Sequence, residues 1–193
     1  MLPNFTSQTI TIGDSELYVR IGGSGPPLLL LHGYPQTGAM WHQVASALAE
    51  RFSLVIPDLP GYGKSIGPAC DPDFLAYSKR RTAETMVRLM AQLGHDRFRL
   101  AGHDRGARVA FRLCLDHPER VEKYAALDIV PTLDQWERMN ADRALSGYHW
   151  QFLAVPAPVP ERLIGGDPDF YLEHLLRRWA GNFDALTQGS LAD

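Results

Sequence analysis

The sequence predicts an α/β fold, with a mostly parallel sheet flanked by helices over residues 1–131 and an incomplete helical segment over residues 132–193. Three observations predict it. Short aliphatic runs alternate with helix-patterned stretches, the rhythm of βαβ units joined by right-handed crossovers. Two of those runs, Pro27-Leu28-Leu29-Leu30-Leu31 and Phe52-Ser53-Leu54-Val55-Ile56, show no polar alternation and so read as strands buried on both faces. After Pro131 the strand signals cease, leaving helical spacing and prolines.

Taken in order, Thr9-Ile10-Thr11-Ile12, the Gly13-Asp14 turn and Leu17-Tyr18-Val19-Arg20-Ile21 form an opening hairpin. Between the two aliphatic strands, Trp41, Val44, Ala45 and Leu48 recur at i, i+3, i+4, i+7, one face of a helix. Ala83, Met86, Val87 and Met90 repeat that spacing, and Gly94 supplies a stop. Strands near 98–101 and 123–127 extend the sheet around a helix from Ala107 to Asp116. Beyond Pro131, Leu133–Ser146 and Tyr148–Val155 read as helices, and Pro156, Pro158 and Pro160 break the chain. Asp167 as N-cap and Pro168 at the first helical position then start a helix faced by Leu172, Leu175, Leu176 and Trp179.

Hydrophobic residues make up 45% of the 193-residue chain, enough to bury a core. A net charge of −3 gives no electrostatic reason to expect nucleic acid or an anionic membrane as partner. Cys70 and Cys114 have no metal or redox spacing, so neither a metal nor another cofactor is expected. Two thiols fit a reducing compartment, and Met1-Leu2-Pro3-Asn4 has no signal-peptide character, so a cytoplasmic location is expected. The longest aliphatic run, Leu28–Leu31, is far too short to span a bilayer.

The most informative stretch is Gly102-His103-Asp104-Arg105-Gly106, between a strand and a helix. That context is the nucleophile elbow, whose glycines allow a tight turn that thrusts the middle residue out at the carboxyl edge of a sheet. A serine there needs a base to activate it. An aspartate is anionic at neutral pH and can attack a saturated carbon directly, through an alkyl-ester intermediate. His32-Gly33-Tyr34-Pro35 follows the third strand, where elbow enzymes place one backbone donor of an oxyanion hole; the other comes from the residue after the nucleophile. Those donors are the backbone N–H groups of Tyr34 and Arg105.

Arg105 and Arg108 share the first turn of the helix after the elbow, and two guanidinium groups beside a nucleophile suit a substrate carboxylate. Arg112 reads more simply as part of a solvated face with Asp116 and Glu119. Asp128 closes the strand Tyr124-Ala125-Ala126-Leu127, placed to orient a histidine base or to serve as a cap or turn residue before Pro131. Gly61-Tyr62-Gly63-Lys64-Ser65 resembles a phosphate loop only superficially, because Asp58 stands where a Walker A glycine is needed and Ile66 where a dinucleotide motif has its third glycine. Seven histidines are present, and none takes the position of the base after a further C-terminal strand.

Gly102-His103-Asp104-Arg105-Gly106-Ala107-Arg108, Leu127-Asp128-Ile129-Val130-Pro131-Thr132 and Tyr148-His149-Trp150 together carry a resemblance. The chain resembles the α/β-hydrolase superfamily and, within it, the fluoroacetate (haloacetate) dehalogenases, over nearly all of its length. The resemblance implies Asp104 as nucleophile, Arg105 and Arg108 as holders of the substrate carboxylate, and Asp128 as support for the catalytic histidine. It also implies that His149 and Trp150, on a helical cap, hydrogen-bond the departing halide; the residues alone read as packing in a cap helix. A haloacid and water are then the partners, with a homodimer among the open assemblies. The family's base histidine, its halide-binding tyrosine and the last strands of its sheet lie beyond the matched region, so the sequence reads as a partial chain. An epoxide hydrolase shares the nucleophile and ester, with Tyr148 or Tyr171 to protonate the ring oxygen. A catalytically inactive protein that keeps a pocket or interaction surface is the alternative from another class.

Overall fold

The computed structural model describes residues 4–181. Those residues fall into two compact units, one running through Pro131 and the other starting at Thr132. In the first, six strands form one sheet: β1 (Thr6–Ile12), β2 (Ser15–Gly22), β3 (Pro27–Leu31), β4 (Ser53–Pro57), β5 (Phe98–His103) and β6 (Val121–Leu127), in the order β1-β2-β4-β3-β5-β6. The hairpin β1–β2 and its junction to β4 are antiparallel. β3 pairs parallel with β4 and with β5, and β5 pairs parallel with β6.

The unbroken leucines of β3 are explained by burial on both faces. Successive strand residues point to opposite sides. Leu29 and Leu31 therefore join a core with α2 (Lys79–Gln92) and α3 (Asp104–Asp116), while Leu28 and Leu30 join a second core with Trp41 and Ala45. Ser78 caps α2 by accepting from the Arg81 N–H.

Three sequence expectations are corrected in detail. Val44 is 45% exposed, whereas Trp41 and Ala45 are buried. Trp41 ends a 3-10 turn (Gly38–Trp41) ahead of α1 (His42–Ala49), so an α-helical spacing counted from it does not hold. In the second unit the span Leu133–Ser146 is two helices, α4 (Thr132–Glu137) and α5 (Ala141–Ser146). The cause is Asn140, whose side chain accepts from the Arg143 N–H and starts a new helix. After α6 (His149–Phe152), the proline stretch does not simply break the chain. α7 (Val159–Gly166) carries Pro160 in its first turn, where a missing N–H leaves no intrahelical bond unmade. α8 (Pro168–Trp179) is capped by Asp167, which accepts from Phe170 N at 3.1 Å. No helix among the described residues is long and apolar enough to cross a membrane.

Candidate active site

β5 delivers the chain into a tight turn at its carboxyl end, and α3 begins at once. A Cβ at Gly106 would overlap the His32 carbonyl oxygen, so only glycine lets α3 start this close to the end of β3. Asp104 takes a left-handed backbone, φ +46°. That conformation is disfavoured for L-residues, and aspartate is among the types that tolerate it best.

Both oxygens of the Asp104 carboxylate are engaged. The Tyr34 N–H donates to Oδ1 at 2.8 Å, and Arg108 Nη1 donates to Oδ2 at 3.0 Å. Thus the structure brings Asp104, the Tyr34 N–H and Arg108 together. Arg108 is buried, and burial lowers its guanidinium from the ordinary value, with Asp104 pulling the other way. β6 steadies this turn. Tyr124 Oη donates to the Ala107 carbonyl at 2.6 Å, and burial, reinforced by Cys114, pushes its phenol up to about 12.

Arg105 lies with its guanidinium carbon 4.9 Å from the centroid of the Tyr34 ring; burial raises the Tyr62 phenol, with Arg105 pulling the other way. Arg112 instead pairs with Asp116 at 2.7 Å through Nε, the surface role expected of it. Asp128 follows β6, exposed, with φ +50°. In the second unit, His149 packs on Trp179 with ring centroids 4.6 Å apart, and Trp150 meets Trp136 edge-on at 5.6 Å.

His32 is a structural residue. Leu59 N–H can only donate, so His32 Nε2 accepts from it at 2.8 Å, and Nδ1 carries the proton toward the Gly33 carbonyl at 3.0 Å. Burial lowers its pKa to about 4, consistent with a neutral ring.

Two neighbours of the site were not found from the sequence. Tyr62 belongs to the glycine-flanked motif set aside as a phosphate loop, and its presentation between two glycines was the available signal. Lys79, at the first position of α2, is lowered by burial and then by Arg105 and Arg108, with Asp104 opposing. Nothing in its sequence context distinguishes it from a surface lysine. Asp58, the residue that excluded the Walker motif, is buried: it pairs with Arg20 at 2.7 Å and accepts from Gly38 N and Lys64 N. Gly63, at φ +52°, gives that carboxylate its room.

The sequence pattern of the alpha/beta hydrolase fold matches residues 26–189. The chain is 45% identical over 179 residues to a fluoroacetate dehalogenase from Burkholderia sp, a match covering 93% of this chain and 59% of that protein. It is 37% identical over 133 residues to a soluble epoxide hydrolase from Corynebacterium sp. (strain C12), covering 69% of this chain and 45% of that one. It superposes on ALR0039 from Nostoc sp PCC 7120 with a TM-score of 0.97 and 46% identity, over 100% of this chain and 66% of that one. The chain thus spans less than two thirds of the length of each relative. An aspartate elbow at the carboxyl edge of a mostly parallel sheet and these matches lead to one conclusion: the chain belongs to the alpha/beta hydrolase fold family.

Proposed function

We propose that this chain carries the nucleophilic half-reaction of a hydrolytic 2-haloacid dehalogenase. The observation that carries the reading is the Asp104 carboxylate, with Oδ1 on the Tyr34 N–H and Oδ2 beside Arg108. An oxygen held by a backbone donor is suited to become the ester carbonyl, which leaves Oδ2 to attack. Oδ2 forms a bond to the halogen-bearing carbon, the carbon–halogen bond breaks, and the halide departs with the electron pair. Arg105 and Arg108 hold the substrate carboxylate as a bidentate clamp. Water added at the ester carbonyl, with the developing charge on Oδ1 facing the N–H groups of Tyr34 and Arg105, returns the carboxylate and releases a 2-hydroxy acid and a proton. In this reading Asp128 supports the base of that second step.

The similarity to fluoroacetate dehalogenase supports the carbon–halogen reading, and the similarity to soluble epoxide hydrolase supports a second one. There Asp104 opens the ring and forms the same kind of ester. Two arginines beside the nucleophile offer a neutral epoxide little, and this favours the acid. Incubation with chloroacetate and, separately, with an alkyl epoxide tests the choice by halide release, diol formation and peptide mass. The expected result is halide together with a carboxymethyl adduct on the peptide carrying Asp104. A 2-hydroxyalkyl adduct on that peptide from the epoxide, or diol, with no halide from chloroacetate would establish the epoxide reading instead.

A further inference from the structure

Arg108 stands four residues after Asp104 on α3, the spacing that brings two helical side chains together, and its Nη1 lies 3.0 Å from Asp104 Oδ2. The two partners differ in their freedom. The Tyr34 N–H holds Asp104 Oδ1 at 2.8 Å, and a Cβ built at Gly33 would fall 2.5 Å from the Asp104 Cβ, so the chain after β3 presses on this side chain. Asp104 is pinned, whereas Arg108 reaches it on a long stem with several rotatable bonds. The Arg108 side chain is 8% exposed and that of Asp104 27%, so water reaches the carboxylate more readily than the guanidinium.

A guanidinium held out of water needs an anion, because withdrawing one partner of a buried ion pair leaves an uncompensated charge. Asp104 supplies that anion in the free chain, and the oxygen it commits is Oδ2, the attacking atom of the proposed reaction. A charge-assisted hydrogen bond occupies a lone pair of that oxygen and draws on its negative charge, which lowers its nucleophilicity. Arg108 can release Oδ2 only to another anion.

We propose that Arg108 masks the nucleophile, holding Asp104 Oδ2 until a carboxylate takes over the guanidinium, and that this carboxylate need not belong to the molecule attacked. The inference rests on the reading of Asp104 as nucleophile and Arg108 as carboxylate holder. Its consequence is a second activity, formate-dependent attack on a neutral methyl halide. Oδ2 bonds to the methyl carbon of iodomethane, the carbon–iodine bond breaks, iodide departs with the electron pair, and formate is unchanged.

The 193-residue chain is incubated with iodomethane in ¹⁸O-water, with and without formate, and the peptide carrying Asp104 is followed by mass. A methyl ester, or ¹⁸O left in the carboxylate after its hydrolysis, records the attack. Exposed Cys70 serves as the internal standard for iodomethane. Saturating formate should speed the labelling of Asp104 about tenfold, the scale of one hydrogen bond to a charged group, and leave Cys70 unchanged. Formamide or sodium chloride at equal concentration should have no such effect. Arg108→Met should be labelled fast without formate and should not respond to it.

Labelling of Asp104 in the parent chain at a rate that formate does not raise overturns the mask and leaves the nucleophile standing; this arm needs no variant. Equal acceleration by sodium chloride or formamide, or a formate response that survives in Arg108→Met, overturns the mask as well. If Cys70 is methylated while Asp104 stays unlabelled in both chains, the nucleophile reading falls and the mask falls with it.

Discussion

Asp104 and Asp128 each stand one residue past the register pair His103–Leu127 of the parallel strands β5 and β6, and both hold a left-handed backbone, φ +46° and +50°. Adjacent parallel strands thus present two carboxylates side by side in sequence register at one edge of the sheet. The shared conformation has a practical consequence. Substituting alanine at either position adds roughly 1–2 kcal/mol of backbone strain to any chemical effect, whereas asparagine tolerates the same conformation.

Asp104→Asn therefore isolates the chemistry. The variant should match the parent in circular dichroism, with a lower urea midpoint because it strands the buried Arg108 charge. It should release no halide from chloroacetate and carry no carboxymethyl group on the elbow peptide. Parent-like halide release would remove Asp104 from the nucleophile role.

Arg108 is engaged with Asp104 Oδ2 at 3.0 Å, so a bound carboxylate must share the guanidinium or draw it away from the nucleophile. Lysine offers a point charge in place of the fork. For a charge-assisted, mostly buried pair, Arg108→Lys should weaken transition-state binding of haloacetate by about 2–4 kcal/mol. Single-turnover halide release with haloacetate and haloacetamide measures it. The amide should lose much less, and equal losses would rule out a carboxylate clamp.

The sheet and the elbow were legible in the sequence because several local signals agreed there. Leu28–Leu31 could only be a strand buried on both faces, and the glycines of the elbow have no other use. The helices after Pro131 were less legible, since Asn140 and Pro160 each read equally well as a breaker or as a helix start. The Arg20–Asp58 pair and the Tyr62–His32 contact were invisible. Each joins residues far apart in the chain through tertiary packing, and the only local trace was a glycine pattern with a stronger association elsewhere.

Arg20 and Asp58 have side chains 5% and 0% exposed, and Asp58 also accepts the Gly38 and Lys64 N–H groups. Removing one partner of such a pair leaves an uncompensated buried charge. Arg20→Met should destabilise the chain by about 3–5 kcal/mol in urea titrations. Asp58→Asn keeps an acceptor for the backbone donors, yet it still strands the Arg20 charge. A change under about 1 kcal/mol in Arg20→Met would mean that the pair is solvated.

His32 links this core to acid. Its pKa falls from 6.5 to about 4 on folding because burial penalises the charged ring, and Nε2 must stay unprotonated to accept from Leu59 N–H. The folded state therefore binds fewer protons than the unfolded state between those values, so stability rises with pH across that window. The contribution is fully present above pH 6.5 and is lost as pH falls toward about 4. A shift of this size is worth about 3 kcal/mol at the acid end. Urea midpoints measured from pH 7 to pH 4 should fall accordingly. In His32→Gln, whose amide oxygen can replace Nε2 as acceptor, the dependence over that interval should flatten, even if the variant starts from a lower midpoint. An unchanged slope in His32→Gln would assign the acid sensitivity to other groups and refute a buried, neutral His32.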